Sequence, residues 1–181
     1  MVEHTIRRRL LLLAPLGAAA AGGVGFWAML GGLQDGTFDP RGVPSMLVGR
    51  PLPEFSLPGF SSADVRAAGR PVLINFFASW CVPCVAEAPM LLRLRQRDTA
   101  IWGIAYKDKP DASAAFLQRT GDPYARVARD EPGRVAIDFG VYGVPESYLV
   151  DRSGIVRWRW AGPLAEDVVA GQLEPLLRKY A

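Results

Sequence analysis

The only two thiols of the chain stand three residues apart, in the run Trp80-Cys81-Val82-Pro83-Cys84. At that spacing one sulfur can attack a partner's disulfide and the other can displace what the first has bonded, which is thiol–disulfide exchange. The reactive form is the thiolate. An ordinary thiol of pKa about 8.5 is only slightly ionised at neutral pH, whereas in C-x-x-C motifs the pKa can fall to about 7 or below. A helix start would supply the stabilisation, through unpaired N–H groups and roughly half a positive charge. Cys81, nearer that start, is expected to be the more exposed sulfur and the nucleophile. Cys84, one turn in, is expected to resolve the mixed disulfide. Pro83 removes one N–H and stiffens the turn between them. A purely structural disulfide over so short a loop would constrain the unfolded chain little. Half a zinc site lacks partners, because the single histidine, His4, precedes a long apolar segment. No metal and no disulfide network are therefore expected.

The elements needed to position this pair are legible on either side of it. Val72 to Ala78 (VLINFFA) carries apolar residues on both faces, as a central buried strand does. A helix should run from Cys81 to about Arg97. Ile101 to Tyr106 reads as a second strand. A helix over Asp111 to Arg119 has Pro110 at its start, and Gly133 to Phe139 can form another short one. Glu146–Val150 and Gly154–Trp160 are strands joined by the hairpin signal Asp151-Arg152-Ser153-Gly154. In the latter, Val156, Trp158 and Trp160 would share one face, as core cover rather than a ligand box. A last helix places Val169, Leu173, Leu176 and Tyr180 at helical spacing, with Pro175 inside it as a conflict and a kink as the expected outcome. Strand–helix–strand–helix followed by a hairpin and a closing helix predicts an α/β fold, with a central mixed sheet flanked by helices on both faces.

Composition narrows the function classes. The chain has 181 residues, half of them hydrophobic, enough for one domain with a sizeable core and an appendage. Net charge is +3, and Arg7, Arg8 and Arg9 account for much of the excess. No basic run follows, which excludes a nucleic-acid footprint. Leu10 through Leu33 holds no charged residue. As a helix this stretch would measure roughly 36 Å, against a hydrocarbon core of about 30 Å. The preceding arginines would keep the N-terminus in the cytoplasm. The sequence thus predicts a cytoplasmic segment 1–9, a transmembrane anchor 10–33, a Pro/Gly-punctuated linker 34–46 and a globular domain 47–181 outside the membrane. A cleaved signal peptide, for which Ala18 to Ala21 offer small residues, is the lesser reading, because the apolar run continues through Phe26, Trp27, Met29 and Leu30. Both readings give the same compartment.

Several stretches resemble a known family. Trp80-Cys81-Val82-Pro83-Cys84 with Pro89 five residues on is similar to the thioredoxin superfamily, and Glu87 with Pro89 resembles its extracytoplasmic branch. The tighter similarity is to the CcmG/DsbE proteins, periplasmic thioredoxin-like proteins of cytochrome c maturation. It is carried by Gly103-Ile104-Ala105-Tyr106-Lys107-Asp108, Asp122-Pro123-Tyr124-Ala125, Phe139-Gly140-Val141-Tyr142-Gly143-Val144-Pro145-Glu146, Tyr148-Leu149-Val150-Asp151 and Gly154-Ile155-Val156-Arg157. It spans about residue 47 to the C-terminus.

The resemblance implies a thioredoxin-like fold, a cis Val144–Pro145 peptide facing the cysteines, and a substrate surface formed by Trp80, Val144 and Pro145. Read alone, Pro145 would be an ordinary trans turn proline at a strand start. The resemblance also implies that Glu87 and Glu146 tune the thiols, Glu87 as a proton shuttle and Glu146 by its charge or by partner contact. One departure matters. Ordinary thioredoxins often carry a buried Asp six residues before the first cysteine, and here Asn75 stands there and cannot accept a proton. The acid–base role then falls to Glu87, Glu146 or water.

The function so implied is that of an inner-membrane-anchored, periplasmic reductant of disulfides on apocytochrome c or a haem-ligation component. No flavin or nicotinamide motif is present, so no cofactor is expected. Electrons must come from another protein, by family analogy a membrane thiol reductant transporter of the DsbD/CcdA type. A general extracytoplasmic thioredoxin of the TlpA or ResA type is the nearest rival. A copper-binding chaperone is a rival of another class, disfavoured by the lack of a third ligand. A membrane-tethered scaffold with incidental cysteines is a third.

Overall fold

The computed structural model describes residues 15, 17–31 and 45–181. The chain divides into two units, Met1–Val43 and Pro44–Ala181. In the first, residues 15 and 17–31 are helical and almost all exposed. Among the described residues no helix is long and apolar enough to cross a membrane. The segment 1–9, both ends of the anchor expected at 10–33 and nearly all of the linker expected at 34–46 lie outside the described residues.

The second unit is built around one strand. In β1 (Val72–Phe77) all six residues are buried, which requires cover on both faces of the sheet. β2 (Ala100–Tyr106) pairs with it in parallel on one side. β4 (Glu146–Val150) pairs antiparallel on the other, and β5 (Val156–Ala161) extends the sheet by the hairpin. β3 (Arg126–Asp130) closes the opposite edge, parallel to β2, so the strand order is β3-β2-β1-β4-β5. The mixed sheet agrees with the sequence reading.

One face of the sheet, through Leu73, Phe77, Leu149 and Trp158, packs against Met90, Leu91 and Leu94 of α2 (Val82–Gln96), Phe116 of α3 (Pro110–Thr120) and Leu173 of the closing helix. The other, through Ile74, Phe76, Tyr148 and Val156, packs against Val65 of α1 (Ser62–Ala67) and Phe139 of α4 (Arg134–Phe139).

Several details depart from expectation. α1 was not foreseen, although Ser61 and Asp64 form a reciprocal capping box at its start, a signal present in the sequence. β3 was missed because RVARD has few apolar residues and sits at an edge, where Arg126 instead pairs with Asp64 at 3.1 Å and covers the Trp102 ring. Val156 and Trp158 do not share a face. A bulge pairs Val150 with Val156 but Leu149 with Trp158, leaving Arg157 as the extra residue, and a one-residue slip sends side chains to opposite sides. The strand also starts at Val156, because Gly154 lies in the turn with φ +77°.

Pro175 does not sit inside a plain helix. α5 (Glu166–Val168) widens into a π turn, Val169–Leu173, and α6 (Glu174–Tyr180) follows. Pro175 thereby falls in the first turn of α6, where a missing N–H is tolerated.

Candidate active site

β1 delivers the chain to the cysteines, and α2 begins at them. Cys81 is the N-cap of α2, with extended backbone, and its sulfur accepts the Cys84 N–H at 3.1 Å. Pro83 lies in the first turn, where φ of proline suits the helix, and no acidic residue occupies that turn to offset its partial positive charge. Cys81 and Cys84 are joined in a disulfide. The expectation that Cys81 is the more exposed sulfur is corrected: both cysteines are 3% exposed. The cover over Cys81 comes from the loop before β4, whose Val144 carbonyl oxygen lies 3.4 Å from Cys81 Sγ. The Val144–Pro145 peptide in that loop is cis. The flanking Trp80 and Val82 are open, at 57% and 79% exposure, and form an apolar rim beside the disulfide.

The turn from β1 into α2 is held by a residue that the motif reading did not single out. Asp108, itself buried, accepts the Ser79 N–H at 2.6 Å and the Ser79 hydroxyl at 2.8 Å. Trp80 Nε1 donates to the Lys107 carbonyl at 3.3 Å. The β2–α3 connection thus clamps the two residues preceding Cys81. Asp108 ends the run Gly103–Asp108, which is the signal the sequence carries.

Glu87 follows Cys84 by one helical turn on the buried side of α2 and is 1% exposed. Its Oε1 accepts the Leu164 N–H at 3.1 Å and its Oε2 accepts Asn75 Nδ2 at 3.3 Å. Burial pushes its carboxyl from the ordinary 4.5 up to about 7, against the two hydrogen bonds, which favour the carboxylate. Such a group can take and release a proton near neutral pH. Asn75, read as the loss of an acid, is here a donor to one. It stands on β1 opposite Ser147 and beside Gly103, donates also to Ser147 Oγ at 3.0 Å, and accepts the Tyr124 hydroxyl at 2.6 Å.

Glu146 lies on the opposite face of the sheet, with Tyr148 and Phe76 rather than with Asn75 and Ser147. It is fully buried, so it is no solvated surface charge. Its Oε1 accepts Arg159 Nε at 2.6 Å and the Tyr148 hydroxyl at 2.5 Å. Arg159 in turn lies over the exposed Tyr142 ring, 5.0 Å from its centroid. That pairing brings two residues of the hairpin and one of the 140–145 loop together behind Pro145.

A parallel-centred sheet with an antiparallel hairpin, a C-x-x-C disulfide at a helix start and a cis-proline loop across from it define a thioredoxin-like thiol–disulfide protein. A model of the AhpC/TSA family matches residues 48–159. The thiol:disulfide interchange protein HelX of Rhodobacter capsulatus is 40% identical over 174 residues, covering 93% of this chain and 95% of that protein. The thiol:disulfide interchange protein DsbE of Escherichia coli K12 is 40% identical over 149 residues, covering 79% of this chain and 80% of its own. A crystal structure described as a DsbE-type interchange protein from Chlorobium tepidum superposes with a TM-score of 0.61 at 28% identity, over 71% of this chain and 95% of that one. The chain therefore belongs to the DsbE/HelX family of thiol:disulfide interchange proteins, within the AhpC/TSA family.

Proposed function

We propose that the reduced protein donates electrons to disulfides in cytochrome c biogenesis, with apocytochrome c or a haem-ligation component as client. Cys81 thiolate attacks one client sulfur, a mixed disulfide forms, and the other client sulfur leaves as a thiolate. Glu87 carboxylate takes the proton of Cys84. The Cys84 thiolate then attacks Cys81 Sγ, the second client sulfur leaves, and protons from Glu87 and solvent neutralise the thiolates. Two electrons pass to the client, and Cys81–Cys84 becomes a disulfide. A membrane dithiol donor of the DsbD/CcdA type returns two electrons and two protons. Trp80, Val144 and Pro145 border the disulfide and serve as the client surface, where an extended segment can bond to the Val144 backbone. The basic N-terminus and apolar segment 10–33 act as a membrane anchor that holds the domain on the periplasmic side.

The observation that carries this reading is the buried Glu87 one turn below Cys84, in a chain 40% identical to DsbE and HelX proteins. A Cys84→Ser variant tests it, because the mixed disulfide at Cys81 then persists. Capture of apocytochrome c or of haem-ligation components supports the reading. Capture of unrelated folding clients alone refutes the cytochrome assignment and leaves the TlpA/ResA-type alternative.

A further inference from the structure

The stretch Asp122-Pro123-Tyr124 has no role in the chemistry described so far, yet Tyr124 is fixed more tightly than packing alone requires. Its N–H is bound by Asp122 Oδ1 at 2.9 Å and its carbonyl by Arg95 Nη1 of α2 at 2.6 Å. The next residue, Ala125, donates its N–H to the Ile101 carbonyl of β2 at 2.8 Å. The ring stacks on Phe77 at 4.8 Å and 23°, in a space that exists because residue 103 is glycine: a Cβ there would come within 2.9 Å of both rings. All of this aims one hydroxyl at Asn75 Oδ1, 2.6 Å away.

A buried amide has two faces, and which one meets a carboxylate matters. With Oδ1 occupied by a hydroxyl donor, Asn75 must present its NH2 to Glu87 Oε2 and Ser147 Oγ. Were the amide turned over, its carbonyl would confront the carboxylate and favour the protonated acid. We propose that Tyr124 is a positioning residue for the exchange reaction, locking the Asn75 amide so that it donates to Glu87 and sets when Glu87 accepts the Cys84 proton. The proposal rests on Glu87 serving as that acceptor.

The groups around Glu87 allow a clean assignment. β1 supplies the Asn75 amide, β4 the Ser147 hydroxyl through that amide, the loop before the closing helix the Leu164 N–H, and α2 Cys84 itself. The segment before β3 supplies Tyr124, with Asp122 on its own N–H. Glu166 of α5 is engaged by Arg93 at 3.2 Å, and both are exposed. Among the described residues no cation pairs with the Glu87 carboxylate.

The test follows the Glu87 side-chain carboxyl carbon by NMR against pH in the oxidised full-length protein, and the rate of mixed-disulfide resolution against pH in the same variants. Wild type should show the inflection near 7 in both readouts. Tyr124→Phe keeps the ring and removes the donor. It should move both inflections up by about one pH unit, the size of one hydrogen bond to a charged group. Ser147→Ala deletes an equally buried bond to the same amide without freeing Oδ1, and should move neither. If the Glu87 inflection stays in place in Tyr124→Phe, or if Ser147→Ala shifts it equally, the positioning role is overturned while Glu87 keeps its own. If Glu87→Gln leaves the rate inflection intact, Glu87 is not the acceptor and both readings fall.

Discussion

On one face of the sheet the Glu87 carboxylate meets neutral donors, the Asn75 amide at 3.3 Å and the Leu164 N–H at 3.1 Å. On the other, the equally buried Glu146 meets the Arg159 guanidinium at 2.6 Å, whose side chain is itself 8% exposed. Both glutamates flank the cysteine and cis-proline elements, and the sequence alone gives them similar standing. The difference between a neutral and a charged partner separates them. A buried carboxylate without a cation is costly to ionise and so becomes titratable near neutral pH. A buried carboxylate bound to arginine acts as a fixed brace, here between the two strands of the hairpin that follows Pro145.

The largest effect should come from breaking the brace. Arg159→Met strands the Glu146 charge in the core and should cost about 3–5 kcal/mol in denaturant unfolding. The double variant Arg159→Met/Glu146→Gln should recover most of it, since the charge goes with its partner. A loss below about 1 kcal/mol in the single variant would mean that the pair is no brace.

The next effect is pH-dependent and belongs to Glu87 alone. Its folded-state value of about 7 stands above the ordinary 4.5, so the folded protein keeps a proton that the unfolded chain has released. Its contribution is therefore fully present below about 4.5 and is lost as pH rises through 7. That amounts to about 3 kcal/mol between the two ends. The difference in unfolding free energy between wild type and Glu87→Gln, followed by urea titration across this window, should show that slope. A flat difference would mean that Glu87 does not titrate in this window.

In kinetics, Glu87→Gln should slow resolution of a mixed disulfide at neutral pH by about 10²-fold, the lower range for loss of a general base. Glu146→Gln should slow it by less than tenfold. Stopped-flow measurement with a disulfide peptide distinguishes the two, and equal losses would erase the contrast. Smallest in stability is Gly103→Ala, whose Cβ would crowd the Phe77 and Tyr124 rings at 2.9 Å. It should cost about 1–3 kcal/mol by overpacking. The disturbance should reach the Glu87 titration and leave the Arg159–Glu146 pair untouched.

What could be read in advance follows from which interactions are local. β1, α2, β2 and the hairpin announce themselves through apolar runs and turn residues, and the C-x-x-C pair through spacing. Glu87 is legible as the residue one turn past Cys84, but its burial depends on Leu164, 77 positions away. Asn75 looked like a lost acid because its value lies in Tyr124 and Ser147, contributed by other segments. The pairing of Glu146 with Arg159 needs the hairpin register, and the bulge at Leu149/Val150 hides that register from any strict alternation. β3 escaped because an edge strand is stabilised by its neighbour, whereas the break in the closing helix was announced by Pro175 and only its form, a π turn over Val169–Leu173, was not.

The central claim, that Cys81 is the attacking sulfur and Cys84 the resolving one, is tested most directly by a single-turnover reaction of two serine variants with a disulfide-bonded peptide. Reduced Cys84→Ser should accumulate a stoichiometric covalent adduct at Cys81, seen by intact mass, while reduced Cys81→Ser forms little or none. An adduct forming as fast on Cys84 in the Cys81→Ser protein would contradict the assignment.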